Sequence, residues 1–117
     1  MTDLTRKLLR DITDSSDSIL EWCSSKSIEE YLSDRKLRRA VEREFQIIGE
    51  ALNRLKRSAP AVLERLRDVS GVVAFRNRII HGYDTVDDTA VWTIVQMKLP
   101  EFRDSVLDLL RKEGEET

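Results

Sequence analysis

Cysteine, histidine, glycine and proline are all scarce in this chain, and each scarcity removes a class of explanation. The single cysteine, Cys23, cannot close an internal bridge. That excludes a disulfide framework or a cysteine-rich zinc site and suits a reducing compartment, with a buried structural thiol as the expectation. The single histidine, His81, excludes every metal motif that needs two. Four glycines and two prolines in 117 residues fall far below the about 12% usual for the pair, so the elements should be few, long and uninterrupted, which means helices. No glycine-rich run fits a phosphate-binding loop or a dinucleotide fingerprint, and no nucleophile elbow is present. No apolar run approaches the about 18 residues of a membrane span. The opening stretch MTDLTRKLLRDITD also lacks the apolar core of a signal peptide. A membrane-free, cytoplasmic protein is expected.

What is present is enough apolar material for one core. Hydrophobic residues make up 40% of the chain and charged residues 36%, and the length suits one domain over 1–117, with 1–3 and 113–117 expected to fray. The net charge of -2 hides a split. Between Arg35 and Arg78 stand twelve basic and five acidic residues, a balance of +7, and the rest of the chain carries -9. The middle can attract phosphate and the flanks cannot, although salt bridges between basic and acidic helices would account for the same split.

Hydrophobic periodicity orders the chain into helices. Leu4, Leu8, Ile12, Ile19 and Cys23 form one stripe, so a helix is expected from Leu4 to about Ser25, weakened in its middle by the serines at 15, 16 and 18. Ser27 and Glu30 have capping-box spacing ahead of a short helix with Ile28, Tyr31 and Leu32. Asp34 can cap a long helix whose stripe, Leu37, Val41, Phe45, Ile48, Leu52 and Leu55, runs to about Lys56. Pro60 suits the first turn of the next helix. Val72 to Ile80 read as a helix stopped by Gly82. Thr85 with Asp88 fits a further capping box, Pro100 should kink or restart the helix it begins, and Gly114 should end the last one. Trp22 and Trp92 fall on apolar faces and are expected in the core. The fold class is all-α: an antiparallel four-helix bundle with one or two extra short helices.

The chemistry concentrates in Phe75-Arg76-Asn77-Arg78-Ile79-Ile80-His81-Gly82-Tyr83, which sets the sole histidine beside two arginines, an amide and a phenol. The pattern Arg76, four residues, His81, one residue, Tyr83 resembles the HEPN superfamily and most closely its HepT-type toxin branch. The longer string FRNRIIHGYDTVDDTAVWTIVQMKLPEF and the earlier IIGEALNRL from Ile47 to Leu55 are similar to that branch as well, and the similarity covers about Leu4 to Leu110. The resemblance implies a helical bundle that dimerises, a metal-independent endoribonuclease acting as a toxin, and a cognate nucleotidyltransferase antitoxin. It also implies that the antitoxin attaches AMP to Tyr83. No cofactor is called for.

The residues themselves support such chemistry. RNA is cut without metal when one group takes the 2'-hydroxyl proton, another protonates the leaving 5'-oxygen and a cation stabilises the phosphate between them. Histidine titrates at about 6.5 and arginine stays charged with a planar fork for phosphate oxygens, so His81 and Arg76 are the catalytic candidates. Asn77 and Arg78 are candidates for substrate contact. Residues five apart stand about 140° apart on a regular helix, so either the helix ends early or a second chain contributes. A two-fold homodimer would bring two copies of each residue into one cleft.

Plainer readings stand beside these. His81 can simply favour a helix C-terminus as a cation, Arg76 and Arg78 can be surface charges, and Tyr83 can staple a loop. Gln46, Glu50, Asn53 and Arg57 share a helix face that lines a cleft or is merely solvated. An alternative function is a non-catalytic dimeric helical module that binds and regulates a nucleotidyltransferase. A second is a helical nucleotide-binding protein with no partner enzyme.

Overall fold

The computed structural model describes residues 1–66 and 87–115, with side chains as far as Lys112. Six helices lie within them: α1 (Asp3–Cys23), α2 (Ile28–Ser33), α3 (Arg35–Ser58), α4 (Pro60–Glu64), α5 (Asp88–Met97) and α6 (Leu99–Glu115). No strand occurs among the described residues, and the helices pack as a bundle, in line with the all-α expectation. α1 and α3 form the centre of the packing, with α4 on α3. α1 packs against both α3 and α6, while α5 lies on α6 and α2, and α2 also touches α3.

The starts of these helices follow from side chains that satisfy otherwise orphaned amides. Thr2 Oγ1 accepts from the Thr5 amide at 3.1 Å. Ser27 and Glu30 form the expected capping box: Ser27 Oγ accepts from the Glu30 amide at 3.1 Å and Glu30 Oε1 from the Ser27 amide at 3.0 Å. These bonds to the ionised form hold the Glu30 carboxyl below its ordinary value. Asp34 Oδ1 caps α3 through the Leu37 amide at 3.0 Å. The cap of α5 differs from the expectation of Thr85 paired with Asp88. Asp87 takes the role, its Oδ1 accepting from the Ala90 amide at 3.1 Å, because the helix begins at Asp88 and Ala90 is then its third residue. Pro60 opens α4 and Pro100 sits in the first turn of α6, where a missing N–H costs nothing. Pro100 thus restarts the helix rather than kinking it. The helix then continues one residue past the expected stop at Gly114.

The serines of α1 do not interrupt it. Ser15 and Ser16 are buried and each costs about 0.5 kcal/mol of helix propensity against alanine. Leu8, Leu9, Ile12 and Ile19, all fully buried on the same helix, contribute about 1.5–3 kcal/mol each. Burial outweighs propensity, and the small side chains let α1 lie between two neighbours. Across from them α3 offers Val41, Phe45, Ile48 and Leu52, and α6 offers Phe102 and Val106. Asp17 and Arg103 bond at 2.7 Å and tie α1 to α6.

Two apolar expectations fail at the ends of α1. Leu4 is 40% exposed and Trp22 is 39% exposed, because each stands about 80° round the helix from Ile12, at the edge of the buried stripe, whereas Thr5 and Cys23 in the same end turns are buried. Trp92, by contrast, packs against the core and meets Tyr31 with ring centroids 5.4 Å apart. Cys23 is buried as expected, and burial pushes its thiol above the ordinary value.

Candidate functional site and its scaffold

Arg76, Asn77, Arg78, His81 and Tyr83 lie outside the described residues, as do the helix expected over Val72–Ile80 and its stop at Gly82. The structure defines the scaffold on either side of them. On the N-terminal side the chain is anchored by Leu66, which is 8% exposed and belongs to the core. Just before it, Arg65 joins Ser105, Asp108, Leu109 and Lys112 of α6 in lining a pocket of about 300 Å³. The pocket carries charges of both signs, so sequence pattern alone could not have assembled it.

On the C-terminal side the chain re-enters at the cap of α5, and a single arginine holds that point in place. Arg38 of α3 pairs through Nε with Asp88 at 3.4 Å, and its Nη1 donates to the carbonyl oxygen of Leu32. One guanidinium therefore joins α2, α3 and α5. Tyr31 lies fully buried within this joint, and burial, reinforced by the nearby Asp88 carboxylate, raises its phenol far above the ordinary range. Its hydroxyl has no hydrogen-bond partner among the described residues. Sequence reasoning counted Arg38 only as one cation in a basic run. Its carboxylate partner stands 50 positions away, and no local spacing signals such a pair.

α3 sets the electrostatics. It carries eight basic and three acidic residues, while each of the other described helices has an acidic excess. Part of its charge is spent internally: Glu42, only 7% exposed, is matched by Arg39 at 3.2 Å. Burial raises the Glu44 carboxyl. Of the polar row on this helix, Gln46 and Asn53 are half-buried while Glu50 and Arg57 are exposed, so the row follows the border of the solvent face.

The sequence pattern of the family described as ribonuclease HepT-like matches residues 12–109. The chain belongs to the HepT-like ribonuclease family. Its relatives agree. A protein of Thermococcus cleftensis provisionally named ribonuclease HepT is 32% identical over 99 residues, covering 81% of this chain and 86% of the relative. A protein of Methanocaldococcus jannaschii, provisionally named RNase MJ0127, is 27% identical over 114 residues, 95% of this chain and 92% of the relative. Another of Caldanaerobacter subterraneus subsp. tengcongensis, provisionally named RNase TTE0752, is 27% identical over 110 residues, 92% and 96% of the two chains. No solved structure gives a significant match.

For this HepT-like ribonuclease the matched span includes the whole of Arg76-x4-His81-x-Tyr83 and every described helix except the first part of α1 and the last turns of α6. The bundle and the ribonuclease class therefore rest on one continuous stretch. Among the described residues no helix is long and apolar enough to cross a membrane.

Proposed function

We infer that this protein is a metal-independent endoribonuclease whose reaction is transesterification by the 2'-hydroxyl, and that it is the toxin of a toxin–antitoxin pair. The observation that carries this reading is the arrangement Arg76-x4-His81-x-Tyr83 inside the span matched by the ribonuclease family. His81 takes the proton of the 2'-hydroxyl, the freed oxygen attacks phosphorus, the bond from phosphorus to the 5'-oxygen breaks, and that oxygen receives a proton. Arg76 offsets the extra negative charge on the phosphate in between. The products are a 2',3'-cyclic phosphate and a 5'-hydroxyl.

One chain holds one histidine, whereas the reaction moves two protons. A two-fold dimer supplies the second group, so the site is composite, with Arg76 and His81 of both protomers facing one cleft. Asn77 and Arg78 bind substrate beside it. A partner nucleotidyltransferase silences the enzyme by placing AMP on Tyr83.

The composite site makes a distinctive prediction. Arg76→Ala and His81→Ala proteins, each inactive alone, recover part of the RNA cleavage after mixing and subunit exchange, because the shared cleft of the heterodimer then holds one Arg76 and one His81. Cleavage rates before and after exchange measure this. No recovery despite demonstrated heterodimers would show that each chain works by itself.

A further inference from the structure

The solvent face of α3 carries a line of charge that its own salt bridges compensate only in part. Lys36, Arg39, Arg43, Glu50, Arg54 and Arg57 are all exposed. At 100° per residue they fall within about 60° of one another, on the side opposite Val41, Phe45, Ile48 and Leu52, and they extend over about 30 Å of helix. Arg39 is turned to Glu42, and Arg43 reaches Glu50 only at 3.9 Å. Lys36, Arg54 and Arg57 have no carboxylate partner among the described residues.

An ordinary solvated helix face alternates its signs, as α1 does with Asp3 against Arg6 at 3.2 Å and Lys7 against Asp11 at 2.8 Å. On α3, Arg54 and Arg57 instead stand three residues apart with the same sign, an arrangement that costs an isolated helix about 0.2–0.5 kcal/mol. A polyanion laid along the helix removes that repulsion. The face lacks an aromatic side chain, the usual anchor of a protein partner, and a second copy of the same face would bring like charges together. Two groups of cations, Lys36 to Arg43 and Arg54 with Arg57, separated by Glu50 and without apolar anchors, suit contact with a phosphate backbone, which needs charge at intervals and no sequence reading.

We propose that the solvent face of α3 is an RNA-binding track, in which Lys36, Arg43, Arg54 and Arg57 hold the backbone of single-stranded substrate. The identity of the polyanion rests on the ribonuclease reading; the track itself is tested by binding, which does not depend on cleavage.

The test uses the full chain with His81→Ala, so that RNA stays intact, and fluorescence anisotropy of a labelled single-stranded RNA between 50 and 200 mM KCl. The variant Lys36→Gln/Arg43→Gln/Arg54→Gln/Arg57→Gln is compared with Arg10→Gln/Lys26→Gln/Lys98→Gln/Arg111→Gln, which removes the same number of exposed charges elsewhere. The slope of log affinity against log salt falls by about 0.7 for each lost phosphate contact on a single strand, so by about 3 for the α3 variant, and its affinity at the lower salt drops roughly tenfold or more against the control. The double variant Arg54→Gln/Arg57→Gln, which relieves the like-charge pair and so keeps the helix, shows about half the change in slope. Equal slopes in the two quadruple variants overturn the track, whether or not the wild-type protein cleaves RNA. Unchanged RNA affinity with loss of poly-glutamate binding overturns it in favour of an acidic protein partner.

Discussion

His81→Ala slows RNA cleavage by about 100-fold to 10,000-fold, the range lost when a positioned proton-transfer group is removed, while its melting temperature and dimer content stay those of the wild type. The magnitude follows from scarcity. The chain has no second histidine that could take over near neutral pH, and in a two-fold site the substitution deletes both copies at once. The stability expectation rests on the core that α1, α3, α5 and α6 already share through residues such as Phe45 and Phe102. Steady-state cleavage and a thermal melt on the same preparations make the comparison. A loss below about tenfold would remove His81 from the reaction, and a collapsed melt would assign it to folding instead.

Tyr83 gives the second large effect. Incubated with ATP and the partner nucleotidyltransferase, wild-type protein gains the mass of AMP and stops cleaving RNA, whereas Tyr83→Phe gains nothing and stays active. The tyrosine stands two residues after His81, past Gly82. Its oxygen is therefore tethered close to the group that must meet the scissile phosphate. AMP there adds a negative charge that repels the RNA backbone and competes for Arg76 through charge-assisted hydrogen bonds. Intact mass and cleavage rate are read on the same sample. An equal adduct on Tyr83→Phe, or an unmodified wild type, returns Tyr83 to a structural role.

Much of the architecture was legible because it depends on local chemistry. The Ser27–Glu30 box, the Asp34 cap and the positions of Pro60 and Pro100 are short-range signals, and each holds in the structure. The stripe from Val41 to Leu55 is legible for the same reason, since a helix period is written directly in its spacing. What escaped depends on distant partners. Leu4 and Trp22 extend an apolar stripe but stand at its edge, and how far round the helix the neighbouring helices reach is not encoded in the stripe. Arg38 was one cation among many until Asp88 and the Leu32 carbonyl came beside it. The partly compensated ridge on α3 was visible only as a segmental charge, because which cations are already paired depends on geometry. The motif residues stand apart: Arg76, His81 and Tyr83 were singled out by residue type and by likeness to a family that the chain is found to belong to, and their arrangement lies outside the described residues.

The central claim, that this HepT-like protein cuts RNA by 2'-hydroxyl attack without a metal ion, is tested most directly by the ends it leaves. Purified wild-type protein is incubated with RNA in excess chelator and the fragments are analysed by mass spectrometry. The account predicts undiminished cleavage, with 2',3'-cyclic phosphate on one fragment and 5'-hydroxyl on the other. Fragments ending in 3'-hydroxyl and 5'-phosphate, or cleavage that stops with chelator and returns with added divalent metal, would contradict it.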